Sequence, residues 1–131
     1  MILYTEIMIQ IIQAKLSYKL VGLCFQVHNE LGRFCREKQY SDLLETLLLE
    51  YNIRFHKEVF IDNETRSNKP DYIIEDTIII DLKAKRVITK EDYYQMQRYL
   101  KNSNIQLGII VNFRDSFLKP KRVINTSFNH S

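Results

Sequence analysis

The sequence predicts an α/β fold in which a mixed central β-sheet of about four to five strands is flanked by α-helices. Two observations support this prediction. A chain of 131 residues, 45% of them hydrophobic, can build one core and hardly two. The hydrophobic spacing also alternates between helical and strand-like, in the order α-α-β-β-β-α-β with a last short strand. We therefore expect a leader segment at 1–12, one domain at 13–126 and a polar tail at 127–131.

Three helices are predicted from hydrophobic residues that recur three or four positions apart. They cover residues 14–31, 36–51 and 90–101. In the first helix Leu20 and Cys24 lie on one face, and Gly32 marks its end, since glycine often follows the last helical turn. The third helix follows Thr89, which can cap its N-terminus, and Asp92 three positions later completes a capping box.

Strands are predicted where β-branched and apolar residues form shorter runs. These runs lie at 53–61, 71–74, 77–82, 105–113 and 121–125. Glu75 and Asp76 separate the second and third runs, which indicates a tight hairpin between them. The third and fourth runs are apolar on both faces, as expected of strands buried inside a sheet.

Charge and cysteine content narrow the function classes. The net charge is +3, but residues 1–81 carry 9 Lys/Arg against 13 Asp/Glu, and residues 82–131 carry 10 against 3. A basic C-terminal part is compatible with a polyanionic partner, although a solvated basic face is the simpler interpretation. Cys24 and Cys35 are too few for a disulfide scaffold or a zinc cluster, which favours the reducing cytoplasm. The apolar N-terminus lacks a basic region, so we expect no signal peptide and no membrane span.

Three charged residues stand where a core-building sequence would not place them. Asp71 opens a strand, and Asp81 and Lys83 follow three isoleucines in a central strand, two positions apart and hence on the same face. The predicted hairpin pairs residue 71 with about residue 80 or 81, so two carboxylates and an ammonium group converge. Adjacent carboxylates repel each other, and Mg²⁺ or Mn²⁺ relieves that repulsion. A buried ion pair without catalysis is the alternative.

These residues resemble the PD-(D/E)XK nuclease superfamily, and within it the small proteins called GxxExxY proteins. The superfamily pattern corresponds to Pro70-Asp71, nine intervening residues, and Asp81-Leu82-Lys83. The stretch 27–32 is similar to the recurring VH-x-ELG sequence of the GxxExxY proteins, and Glu37 and Tyr40 stand where the naming Glu and Tyr fall. One difference is that Arg33-Phe34-Cys35 follow Gly32, where these proteins often have a glycine-rich turn. The resemblance covers about 15–126.

The resemblance implies a restriction-endonuclease-like core and a set of site residues. It implies that Asp71 and Asp81 bind Mg²⁺ or Mn²⁺, joined by the main-chain carbonyl of Leu82, and that Lys83 is the catalytic lysine. Glu37 would be a further acidic ligand, and Gln95 matches a helix glutamine that often completes such sites. The residues for these roles are Asp71, Asp81, Leu82, Lys83, Glu37 and Gln95.

Two functions are therefore expected as alternatives. The first is a Mg²⁺-dependent nuclease that hydrolyses phosphodiester bonds, in DNA rather than RNA, with metal-activated water. The second is a catalytically silent module of the same fold that binds nucleic acid or a protein partner. In either case Lys85, Arg86, Lys90 and Arg98 are candidate phosphate contacts, with simple solubility as the alternative. A homodimer or a protein partner is expected, because the chain has no separate recognition domain.

Overall fold

The computed structural model describes residues 3–57 and 70–128, which form a five-stranded sheet and three helices. In chain order these elements are α1 (Tyr4–Leu31), α2 (Glu37–Glu50), β1 (Phe55–Lys57), β2 (Tyr72–Ile74), β3 (Ile78–Lys83), α3 (Lys90–Ser103), β4 (Leu107–Asn112) and β5 (Lys121–Ile124). The predicted α/β class, with a mixed central sheet between helices, is confirmed.

The strands lie in sequence order across the sheet, from β1 to β5. Among the described strands only β3 and β4 run parallel, and α3 provides the crossover that a parallel pair needs. The other neighbouring pairs are antiparallel. Every residue of β4 is buried, as are the first five of β3, because helices cover both faces of the sheet centre.

The β2–β3 hairpin has the predicted register. Tyr72 pairs with Ile80 and Ile74 pairs with Ile78, which places Asp71 beside Asp81. Glu75 and Asp76 form the turn, and both have positive φ, at 50° and 58°. Such a turn matches the twist of an antiparallel pair.

The side chains of β3 alternate between two cores. Ile78 and Ile80 pack with the helices α1 and α2, for example against Leu44. Ile79 packs with α3, against Met96. A Cβ atom added at Gly108 of β4 would overlap the Met96 side chain of α3, so this side chain fills the space beside the glycine.

Some boundaries differ from the prediction. Helix α1 begins at Tyr4, not at residue 14, because its first ten residues contain no proline or glycine that would stop a helix. The strand predicted over 53–61 is seen at Phe55–Lys57, and its last four residues lie outside the described ranges. The capping box at α3 is confirmed, since Asp92 Oδ2 accepts hydrogen bonds from the Thr89 N–H at 2.7 Å and hydroxyl at 3.1 Å.

Helix α1 is long and apolar enough to cross a membrane by length and composition alone. The core helix of a globular domain meets the same criterion, and three side chains in the second half of α1 are fully buried against α2 and the sheet: Leu20, Cys24 and Val27. The helix is therefore weak evidence for a membrane span.

Candidate active site

Two carboxyl groups meet at the junction of β2 and β3. Asp71 precedes β2, and its Oδ2 accepts a hydrogen bond of 2.7 Å from the backbone N–H of Leu82. The hairpin register places Asp71 beside Asp81, a residue that is only 5% exposed. Burial and the neighbouring charge of Asp81 raise the pKa of Asp71 to about 7. Asp71 is therefore partly protonated near neutral pH.

Lys83 lies beside this pair. Its Nζ is 2.9 Å from Asp81 Oδ2 and donates a hydrogen bond of 3.2 Å to Gln95 Oε1 on α3. Burial acts to lower the pKa of Lys83, but the carboxylates of Asp81, Asp92 and Asp71 outweigh it and raise the pKa. The lysine therefore carries its positive charge at neutral pH, which suits it to stabilising negative charge rather than to accepting a proton.

Asp92 belongs to the same cluster, although the sequence analysis assigned it only a capping role. Its Oδ2 lies 2.6 Å from Lys85 Nζ, and its Oδ1 lies 4.0 Å from Lys83 Nζ. Burial acts to raise the pKa of Asp92, but the bonds from Lys85 and Thr89 lower it, so the carboxylate is ionised. The spacing of Asp92 and Gln95 could have revealed this role, because residues three apart share a helix face.

Glu37 approaches the cluster from the first turn of α2. It lines a cleft of about 300 Å³ together with Asp71 and Leu82. Burial raises the pKa of Glu37, while the charge of Lys83 opposes that shift and the charge of Asp81 adds to it. Glu37 is therefore electrostatically coupled to the pair, but it makes no hydrogen bond to either aspartate in the described structure.

The carboxylate oxygens of Asp71 and Asp81 are the chemical type of ligand that a hard divalent cation binds. Carboxylate oxygens are the ligands that Mg²⁺ and Mn²⁺ prefer, and a cation would compete with the proton on Asp71, whose pKa is raised to about 7. Within residues 3–57 and 70–128, however, no group of three or more His, Cys, Asp and Glu side chains is arranged as a metal site. The structure thus brings two carboxylates together and leaves Glu37 outside a preformed ligand set.

The four residues expected to contact phosphate differ in environment. Lys85 forms an ion pair with Asp92, so its charge is already compensated. Arg86, Lys90 and Arg98 are exposed to solvent. Only these three are therefore free to meet a ligand without breaking a buried interaction.

Comparison with known proteins places this geometry in a family. Residues 14–124 match the family model of the PD-(D/E)XK nuclease superfamily, and the chain therefore belongs to that superfamily. No curated protein and no solved structure matches the chain. The narrower resemblance to GxxExxY proteins stays a prediction.

Proposed function

We propose that the protein is a Mg²⁺- or Mn²⁺-dependent nuclease that hydrolyses phosphodiester bonds in nucleic acid, DNA rather than RNA. The observation that carries the proposal is the convergence of Asp71, Asp81, Lys83 and Gln95 at one edge of the sheet. Burying a cluster of ionisable groups beside an open cleft lowers the stability of the fold. Such clusters are concentrated at functional sites, which supports a catalytic role for this one.

Each residue has a distinct role in this proposal. Asp71 and Asp81 would hold the cation, with the Leu82 carbonyl and Glu37 as further ligands. A bound divalent cation lowers the pKa of a coordinated water and neutralises charge on a phosphate oxygen. Gln95 and Asp81 orient the Lys83 ammonium group, which stabilises the negative charge that develops on the phosphate during attack.

The partner in this proposal is nucleic acid, and the basic residues after β3 support it. Arg86, Lys90 and Arg98 would contact phosphates, and a homodimer or a protein partner would extend the small contact area. We place the protein in the cytoplasm, because Cys24 and Cys35 are both free thiols.

A cleavage assay tests the proposal directly. Wild type, Lys83→Ala and Asp81→Asn are incubated with single-stranded, double-stranded and branched DNA and with RNA, in Mg²⁺, Mn²⁺ or EDTA. Cleavage that needs the metal and disappears in both variants is expected. Two matched controls should cleave normally: Lys101→Ala at the end of α3 and Asp76→Asn in the hairpin turn. Full activity in Lys83→Ala or Asp81→Asn would attribute any cleavage to a contaminant.

A catalytically silent nuclease-fold module is the second candidate. The observation that favours it is that Asp81 and Asp92 are already neutralised by Lys83 and Lys85, so the cluster is satisfied without a metal. This function predicts metal-independent binding of nucleic acid or a protein, with no turnover. Calorimetric titration with Mn²⁺ separates the two candidates. The nuclease should show a heat of Mn²⁺ binding that disappears in Asp71→Asn. The silent module does not need to bind the metal.

A further inference from the structure

Two loops interlock beside the candidate active site. The first joins α1 to α2 over residues 32–36, and the second follows β4 from residue 113. Arg33 Nε donates a hydrogen bond of 2.8 Å to the carbonyl of Arg114, and Arg114 Nε donates one of 3.2 Å to the carbonyl of Arg33. Each arginine therefore fixes the backbone of the other. We refer to Arg33, Phe34 and Arg114 as the arginine clasp.

The clasp is attached to the strand that carries the catalytic lysine. The backbone N–H of Phe113, next to Arg114, donates a hydrogen bond of 2.9 Å to the carbonyl of Lys83. The Phe113 ring stacks on Tyr40 with centroids 4.3 Å apart. The Tyr40 hydroxyl donates a hydrogen bond of 2.7 Å to the carbonyl of Gly32 at the start of the first loop. Tyr40 lies one helical turn after Glu37 on α2, so this bond attaches the loop to the helix that carries Glu37. The clasp thus lies at the same sheet edge as the site.

Phe34 is displayed to solvent by this framework. Its side chain is 76% exposed, and the guanidinium carbons of Arg33 and Arg114 lie 4.9 Å and 5.8 Å from its ring centroid. Neither guanidinium group is within ion-pair distance of a carboxylate in residues 3–57 and 70–128. The loop therefore holds an exposed aromatic ring beside two arginine side chains that have no carboxylate partner among the described residues, and this ring is not part of a core.

We propose that the arginine clasp binds an unpaired nucleobase and the phosphates beside it. Aromatic side chains offer a stacking surface to any base, and the fork of an arginine side chain matches phosphate oxygens. A base can stack on the exposed Phe34 ring only if it is not already stacked and paired within a duplex. The ligand class is therefore single-stranded nucleic acid or a single-stranded end. The inference rests on the proposed function only in naming nucleic acid as the ligand, and it assigns the clasp to substrate binding rather than to chemistry.

The test measures binding in EDTA, where a metal-dependent nuclease does not cleave. A fluorescent single-stranded oligonucleotide is titrated with wild type and Phe34→Ala, and the variant should bind about tenfold more weakly. Phe34→Trp should restore the affinity, because the indole ring also stacks. Tyr18→Ala on α1 is the matched control, since Tyr18 is 80% exposed and lies outside the clasp.

An oligonucleotide with abasic sites separates stacking from charge. Wild type should bind it about as weakly as Phe34→Ala binds the normal strand, and Phe34→Ala should lose no further affinity with it. Arg33→Gln and Arg114→Gln should each reduce the slope of log affinity against log salt concentration by about 0.7 for a single strand. Thermal unfolding of each variant confirms that the interlocked loops remain folded.

The outcomes are separable from those of the cleavage assay. Equal affinity of wild type and Phe34→Ala for the normal strand, or an abasic strand bound as well as the normal one, would overturn the inference even if cleavage is found. Conversely, a stacking contribution of Phe34 in a protein that never cleaves would support nucleobase binding by the clasp and overturn the nuclease proposal. Failure to bind single strands at low salt would overturn nucleobase binding by the clasp.

Discussion

The two halves of strand β3 have opposite chemistry. Ile78, Ile79 and Ile80 are 0% exposed and serve the two cores, whereas Asp81 is 5% exposed and Lys83 is half-buried at the site. The apolar half gains free energy from burial, and the charged half is tolerated only because each charge has a partner. One strand therefore supplies both apolar core residues and the charged residues of the candidate site, with the boundary between residues 80 and 81.

Ile80→Ala breaks the apolar half and should have the largest effect. Removing this buried side chain should lower the free energy of unfolding by about 2–5 kcal/mol, measured by urea denaturation. Ile124→Ala in β5 is the matched control, because Ile124 is 57% exposed and its truncation should cost less than about 0.5 kcal/mol. Equal losses in the two variants would contradict the packing described here.

Lys83→Ala breaks the charged half. We expect cleavage to slow by about a hundredfold or more, because the variant lacks the cation that stabilises the developing charge. A rate assay at saturating Mg²⁺ measures this loss. Lys83→Arg keeps the charge but not the compact ammonium geometry, and it should recover only part of the rate. Complete recovery by arginine would mean that charge alone, without the bond to Gln95, is sufficient.

Asp92 and Thr89 allow the charge of the cluster to be separated from the helix cap. Asp92→Asn can still accept the hydrogen bond from the Thr89 N–H but loses its ion pair with Lys85, so we expect about a tenfold lower rate. Thr89→Ala should cost about 1 kcal/mol of stability and leave the rate unchanged. A rate loss in Thr89→Ala as large as in Asp92→Asn would assign Asp92 to capping alone.

The pH dependence of stability sharpens the contrast within the carboxylate pair. The pKa of Asp71 is raised to about 7 in the folded state, so between its usual value near 4 and 7 the folded protein binds more protons than the unfolded chain. Stability without metal should therefore decrease as the pH rises through this range. Thermal melting in EDTA at pH 5 and pH 8 measures the decrease, and Asp71→Asn should reduce it.

Divalent metal should stabilise the protein against heat less at low pH than at high pH. The cation competes with the proton on Asp71, so Mn²⁺ should raise the melting temperature more at pH 8 than at pH 5. Asp76→Asn in the exposed hairpin turn is the control and should keep the wild-type response. A metal effect that does not depend on pH would place the binding site elsewhere.

Local patterns were sufficient for much of the fold. The two-residue period of a strand put Asp81 and Lys83 on one face, and their 2.9 Å contact agrees with it. The hairpin turn predicted that Asp71 lies near Asp81, because a short turn leaves little choice of register. Thr89 and the carboxylate three positions later marked the start of α3, since capping is decided within one turn.

Other features depend on residues far apart in the chain. The capping pattern predicts that Asp92 caps α3 but not that it contacts Lys83 and Lys85, because the pattern does not show which strand α3 packs against. The observed start of α1 at Tyr4 differs from the predicted start at residue 14, although Glu6, Gln10 and Gln13 recur at helical spacing and could have revealed the first turns.

From the amino-acid sequence we could predict the α/β class, the hairpin register and the placement of Asp81 and Lys83 on one face, because turns, caps and periodic hydrophobicity act over a few residues. Two features emerge only in the folded chain: Asp92 lies 4.0 Å from Lys83, and Arg33 and Arg114 join two loops across 81 positions of sequence. Those contacts depend on how α3 and the two loops pack against the sheet, and packing is a property of the whole core rather than of any short segment.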